Sequence, residues 1–258
     1  MQDIHPERPT SALFIPFVTA ENHDKSLAAN EWVSEQIAED FTYGGLFFVR
    51  PEDNPEWVRD NVKRLGLHGL KCYHTMVAVD PTWEADVETF LPESLVKVAH
   101  GEGLAITLHM VKSHAVADSA NIEWIRRSFQ SYPNMNLILA YSARGFQPAH
   151  NLEGITHLVG LENLCFDTSV NCEPVAHQAI IRLMGRDRLM YGTHLPVGHV
   201  RDRSLSAFGQ ACVTDPGCGS PQERRRTMAR QAACNSVSLV RGCYAANRKS
   251  RTRCPTSF

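Results

Sequence analysis

Apolar residues in this chain come in short runs, separated by amphipathic stretches roughly 10–15 residues long. The runs are ALFIPFVT (12–19), GGLFFVRP (44–51), HGLKCYHTM (68–76), LAITLHMV (104–111), NLILAYSARG (136–145), NLCFDTSV (163–170) and RLMYGTH (188–194). Each has the length of a strand. Helical patterns lie between them over 23–40, 55–66, 93–103 and 121–133, and near 148–159 and 173–185, with PTWEADVETFLP (81–92) as a loop. Strands alternating with helices predict βαβ units and a parallel sheet. Right-handed crossovers repeated this often close into a barrel. An open doubly wound sheet is the competing arrangement, but no G-x-G-x-x-G or G-x-x-x-x-G-K-[ST] follows any strand.

The expected fold is therefore α/β, a TIM-barrel-like (β/α) barrel that is incomplete, with seven parallel strands in sequential order. An eighth strand would have to precede Ala12, where eleven largely polar residues stand. A barrel short of one strand leaves unpaired edges at 12–19 and 188–194. Such edges predict self-association, or pairing with a tail segment such as SVSLV (236–240).

Composition refines this picture in two ways. With 258 residues, 43% apolar and 21% charged, the chain has the size of one such barrel and can bury a large core. Its net charge of −2 gives no reason to expect nucleic acid as a partner. No apolar run reaches the roughly 20 residues needed to span a bilayer. The polar start MQDIHPERPT lacks an apolar signal core, so the cytoplasm is the expected compartment. Charge is unevenly spread, with residues 201–258 carrying net +8 and five of the eight cysteines, and the remainder net −10. The division is thus a polar segment 1–11, a barrel 12–203, and a basic, cysteine-rich segment 204–258. RRRTMAR and NRKSRTR in that last segment read as a solvated basic helix.

Barrel enzymes place their chemistry at the C-terminal ends of strands. Those ends here carry Lys71 and His74, His109, Tyr141 with Arg144, Asp167, and His194 with His199 just beyond. A pleat period of two puts Thr107 and His109 on one face, and Cys165, Asp167 and Ser169 on one face. Histidines 74, 109 and 194 stand on three different strands and could converge on one cation. Each polar residue also has a plainer use. Either histidine 74 or 109 could be a hydrogen-bonded core residue, Asp167 a helix cap, and Lys71 a side chain snorkelling at the rim.

In order along the chain, HGLKCYH, FLPESL, GLAITLHMV, NLILAYSARGF, NLCFDTSV and DRLMYGTHLP resemble the amidohydrolase-related (amidohydrolase 2) family of the metal-dependent hydrolase superfamily. The resemblance covers about residues 12–203 and is specific for the family, not for a substrate. It implies a TIM barrel acting on C–N, C–O or C–C bonds of a small molecule, with zinc or another divalent metal. Family members carry H-x-H on the first strand, a histidine on the fifth, a catalytic histidine on the sixth and an aspartate on the eighth. By position, His109 matches the fifth-strand ligand. Tyr141 replaces the sixth-strand histidine and His194 the eighth-strand aspartate, while H-x-H is absent.

Strand-end position and the resemblance together give a candidate catalytic set of His194, Tyr141 and Lys71. Arg144, His74 and Asp167 would bind substrate, and His109 with His194 would hold metal. Three accounts follow. One is a hydrolase for C–N or C–O bonds, or a metal-dependent decarboxylase, with a degraded or rearranged site. A second is an inactive barrel retaining a small-molecule pocket lined by Lys71, His109 and Arg144. The third is a gene product truncated before the first barrel strand.

Overall fold

The computed structural model describes residues 12–171 and 173–192. Seven parallel strands form one curled sheet, a half-barrel backed by helices, in the order β1 to β7. The strands are β1 (Leu13–Phe14), β2 (Gly44–Phe48), β3 (Gly69–Lys71), β4 (Ala105–Leu108), β5 (Asn136–Leu139), β6 (Leu164–Asp167) and β7 (Leu189–Met190). The helices are α1 (Ser26–Ala38), α2 (Pro55–Arg64), the single turn α3 (Val87–Phe90), α4 (Glu93–Glu102), α5 (Ser119–Ser131), α7 (Pro148–Gly154) and α8 (Pro174–Leu183). Between α5 and α7 lies one further turn, α6 (Ala140–Arg144), whose backbone is left-handed. The sequential parallel topology agrees with the alternating hydrophobic pattern. Among the described residues, no helix is long and apolar enough to cross a membrane.

Side-chain caps start two of the helices. The Asn54 side chain accepts from the backbone N–H groups of Glu56 and Trp57 at 2.9 and 3.0 Å, and Pro55 opens α2 with its φ already suitable. Asp118 caps α5 through Ala120 N at 3.0 Å.

Pleating divides the sheet into two faces. Outward residues Phe47, Leu70, Ile106, Leu108, Leu137, Leu139, Leu164 and Phe166 pack with Val33, Val58, Val62, Val96, Ile125, Phe129 and Ile180 into the main core. Burial of each such side chain contributes roughly 1.5–3 kcal/mol. The concave face holds a smaller apolar group, Ile138, Cys165 and Met190, against which Leu13 and Ala105 pack. Gly69 sits where an added Cβ would lie 2.3 Å from the Ala105 carbonyl oxygen, so β3 and β4 can approach only without a side chain there.

Some elements are shorter than the hydrophobic runs suggest. From the run 12–19 only Leu13–Phe14 pairs, with Gly44 and Gly45. Pro16 offers no N–H to extend the ladder, and Ala20–Lys25 winds into a 3₁₀ helix. The run 188–194 contributes Leu189–Met190 to the sheet, and its last two residues, Thr193 and His194, lie outside the described residues. The stretch 81–92, expected as a loop, contains a 3₁₀ turn at Thr82–Glu84 as well as α3. The segments 1–11 and 204–258, with SVSLV, also fall outside the described residues.

With β1 so short, the far end of β2 lacks a neighbouring strand on that side among the described residues. Asn30 of α1, fully buried, substitutes for one. Its Oδ1 accepts from Phe48 N at 2.6 Å and its Nδ2 donates to Phe48 O at 3.1 Å. Asn30→Ala leaves both backbone groups buried without a partner, and each such group costs about 1–3 kcal/mol. A loss of about 2–4 kcal/mol in unfolding free energy is expected in urea denaturation, whereas an exposed control such as Glu35→Ala should shift it by under about 0.5 kcal/mol.

Candidate functional site

Registers run a single row of inward positions across the sheet. Phe48 pairs with Lys71, Lys71 with Thr107, Thr107 with Ile138, and Ile138 with Cys165. Lys71 and Thr107 are the polar members of that row, and both are fully buried. Two residues further along, the same side of the sheet presents Tyr73, His109 and Asp167. The concave face therefore turns polar and aromatic toward the strand C-termini, where a parallel barrel carries its chemistry.

Aromatic rings follow one another along this end. Phe48 lies 5.8 Å from Tyr73 between centroids, Tyr73 5.3 Å from His109, His109 4.6 Å from Tyr141, and Tyr141 5.8 Å from Phe146. Phe17 joins the Tyr73 end at 6.2 Å. Tyr73 is further held by its hydroxyl, which donates to Pro16 O at 3.2 Å. Edge-to-face and tilted contacts at these spacings are individually favourable, so the arc is a continuous, self-supporting wall.

Lys71 is the unusual charge of the site. Among the described residues its Nζ has no hydrogen-bond acceptor, and it lies over the Tyr73 ring, 4.6 Å from the centroid. Burial pushes the ammonium down to about 8, against smaller opposing pulls from Cys72 and Asp167. Cys72 supplies no countercharge at neutral pH, since burial drives its thiol up to about 12. Burial also raises Asp167, against the hydrogen bonds it accepts. His74 is lowered by burial first and then by Arg144 and Lys71, and its Nδ1 lies 2.9 Å from Thr82 Oγ1.

The loop after β5 is strained. Residues 141–144 all have positive φ, between 52 and 59°. Four non-glycine residues in the left-handed region cost roughly 1–2 kcal/mol each. Tyr141 and Arg144 are presented from this turn, and a ring of hydrogen bonds holds it. Asp167 Oδ1 accepts from the backbone N–H of Tyr141 at 3.0 Å and of Ser169 at 2.9 Å. Ser142 Oγ donates to Asp167 O at 3.1 Å, Asn151 Nδ2 to Ser142 O at 2.7 Å, and Asn171 Nδ2 to Tyr141 O at 3.2 Å. Arg144 Nη1 donates to Lys112 O at 3.0 Å. Gly192 closes the next loop for a related reason, because an added Cβ would lie 2.0 Å from Ser169 Oγ.

The sequence-predicted residues thus fare differently. Lys71, His109, Tyr141, Asp167, Arg144 and His74 all gather at one end of the sheet, whereas His194 lies outside the described residues. Asp167, expected to bind substrate, uses Oδ1 to fix two backbone loops. Tyr73, Thr107 and Phe146 had no role assigned, although K-C-Y-H, T-L-H and A-R-G-F place each of them beside a residue that did. Asn151 and Asn171 gave no sequence signal, since their partners are backbone carbonyls of a turn no periodicity predicts.

The described donors do not fit a metal ion. Among the described residues no three His, Cys, Asp or Glu side chains come close enough together to hold one. His109 is enclosed by Tyr73 and Tyr141, and Asp167 Oδ1 is taken by two N–H donors.

Two outcomes follow from this geometry. Between about pH 8 and the ordinary value of 10.5, the unfolded chain holds a proton at Lys71 that the native chain does not. Stability should therefore rise with pH across that window, by about 3 kcal/mol, with the full penalty present below pH 8. Lys71→Met should be more stable than the parent at pH 7 by about 2–3 kcal/mol and should lose this rise, as measured by urea denaturation at each pH. Asp167→Ala strands the N–H groups of Tyr141 and Ser169 and should cost about 2–4 kcal/mol, with Asp167→Asn losing clearly less because its amide oxygen still accepts.

No protein-family model matches the chain, and no curated protein matches it. Solved structures do. The 5-carboxyvanillate decarboxylase of Novosphingobium aromaticivorans, with bound manganese and 3-methoxy-4-hydroxy-5-nitrobenzoic acid, is 15% identical with a TM-score of 0.57 over 93% of this chain and 79% of that one. The 2,6-dihydroxybenzoate decarboxylase of Rhizobium is 14% identical with a TM-score of 0.54, over 88% and 80%. A candidate 2-pyrone-4,6-dicarboxylic acid hydrolase from Pseudomonas putida is 17% identical with a TM-score of 0.51, over 87% and 78%. At such identities the likeness is one of fold, and the fold is the TIM-barrel-like one of these enzymes.

Proposed function

We propose that this chain is a small-molecule enzyme of the hydrolase and decarboxylase barrel type, acting on a C–C, C–N or C–O bond of a planar ring compound. The observation that carries this reading is the arc of rings from Phe48 through Tyr73, His109 and Tyr141 to Phe146. A wall of this kind offers stacking surface to a flat substrate. The named neighbours support it, since the ligands and substrates in their names are ring acids. Decarboxylation is the favoured reaction on that ground, with hydrolysis of a ring-bearing amide, ester or lactone as the alternative.

Within the site, His109 and Tyr141 lie against one another where a reacting group would sit, and both can transfer protons. Lys71, held near pH 8, is poised to carry or release a proton at neutral pH. The metal site is degraded in this reading. Tyr141 stands where the resembled family has its sixth-strand histidine, and the described residues gather no ligand set.

Purified full-length chain, assayed for CO₂ release from ring carboxylic acids and for hydrolysis of ring amides, esters and lactones, should turn over one class. His109→Ala should lower kcat/KM by about 10²–10⁴, the usual worth of a positioned proton-transfer group. Elemental analysis should find zinc and manganese well short of one per chain. Metal near one equivalent would overturn the degraded site. Binding of a ring compound without turnover of any would replace the enzyme by a binding barrel.

A further inference from the structure

Two buried side-chain groups on the concave face, Lys71 Nζ and Thr107 Oγ1, have no hydrogen-bond partner among the described residues. They are not scattered. Lys71 and Thr107 are register partners on adjacent strands β3 and β4, so their side chains leave the sheet on the same side, about 5 Å apart at the backbone. Both are 1% exposed. A buried ammonium without an acceptor is costly to keep, and a hydroxyl beside it adds a second unmet donor. Natural interiors seldom tolerate two such neighbours unless something else satisfies them.

We propose that Lys71 and Thr107 form a subsite for one oxyanion, the carboxylate of the ring compound bound against the aromatic arc. The inference rests on the reading above that a ring compound occupies this end of the barrel. A carboxylate has two oxygens, one for the ammonium and one for the hydroxyl. It carries a single charge, which balances Lys71 alone. Asp167 is near enough to interact with Lys71 electrostatically, so a dianion such as phosphate would meet a second carboxylate with no further cation assigned to it. Tyr73 fixes the ammonium from one side through its ring, 4.6 Å away, and belongs to the arc itself. The stacking wall and the charged anchor therefore share a residue. A ring lying on the arc would direct a substituent toward the β3–β4 strand ends. The subsite is made wholly of this chain's own strand residues and involves no metal.

The test compares benzoate and 2-hydroxybenzoate with their uncharged amides, titrated into the full-length protein at pH 7 by calorimetry. The acids should bind at least tenfold more tightly than the amides. Lys71→Met, which stands to gain stability, should bind acid and amide alike, and Lys71→Arg should restore part of the preference. Thr107→Val should weaken the acids about three- to tenfold with the amides unchanged, and Thr107→Ser should behave as the parent. Equal binding of acid and amide to the parent, or a preference that survives Lys71→Met, overturns the subsite and leaves the ring reading standing. Failure of all four compounds to bind removes the ring reading and the subsite with it.

Discussion

Asp167 Oδ1 accepts two backbone N–H groups at once, from Tyr141 in the loop after β5 and from Ser169 in the loop after β6. The shape of the barrel end depends on that shared acceptor. Four successive left-handed residues would relax to ordinary backbone if nothing held them, since the strain sums to roughly 4–8 kcal/mol. The clamp, with Ser142, Asn151 and Asn171 around it, keeps Tyr141 against His109 and sends the Arg144 guanidinium to the Lys112 carbonyl. Backbone strain gathers where the aromatic wall is built, as functional regions often show. One oxygen of the Asp167 carboxylate thus positions two loops.

Lys71 presents the opposite economy. Its surroundings make the charged form costly, and the only compensation within the described chain is a ring face and the more distant Asp167. Apolar replacement would be the better solution for stability. Retaining a lysine there makes sense when the group has a partner that arrives with the ligand. The site is thus organised as a rigid aromatic wall beside an unmet charge, a combination suited to a flat anion.

The sequence resemblance and the fold likeness to solved decarboxylases agree on architecture, and among the described residues no three His, Cys, Asp or Glu side chains gather. Tyr141 instead belongs to the aromatic wall. Its phenol ring lies 4.6 Å from the His109 ring, and its backbone N–H is fixed by Asp167 Oδ1.

What the sequence by itself determined is the sheet. Short apolar runs alternating with amphipathic ones leave few solutions, and seven parallel strands in sequential order follow, because βαβ crossovers have one hand. It also placed Lys71, His74, His109, Tyr141, Arg144 and Asp167 at strand ends, because that polarity switch is written in the alternation of residues. Tertiary structure alone decided the rest. Strand lengths depended on whether a neighbour was present, so the run 12–19 kept two paired residues and Asn30 completed β2. The left-handed turn has no periodic signature, since it exists only because side chains distant in sequence accept and donate to its backbone. Whether Asp167 faces substrate or backbone, and whether the Lys71 charge is paired, are questions of distance. The distances between strands and loops arise only once the chain has curled.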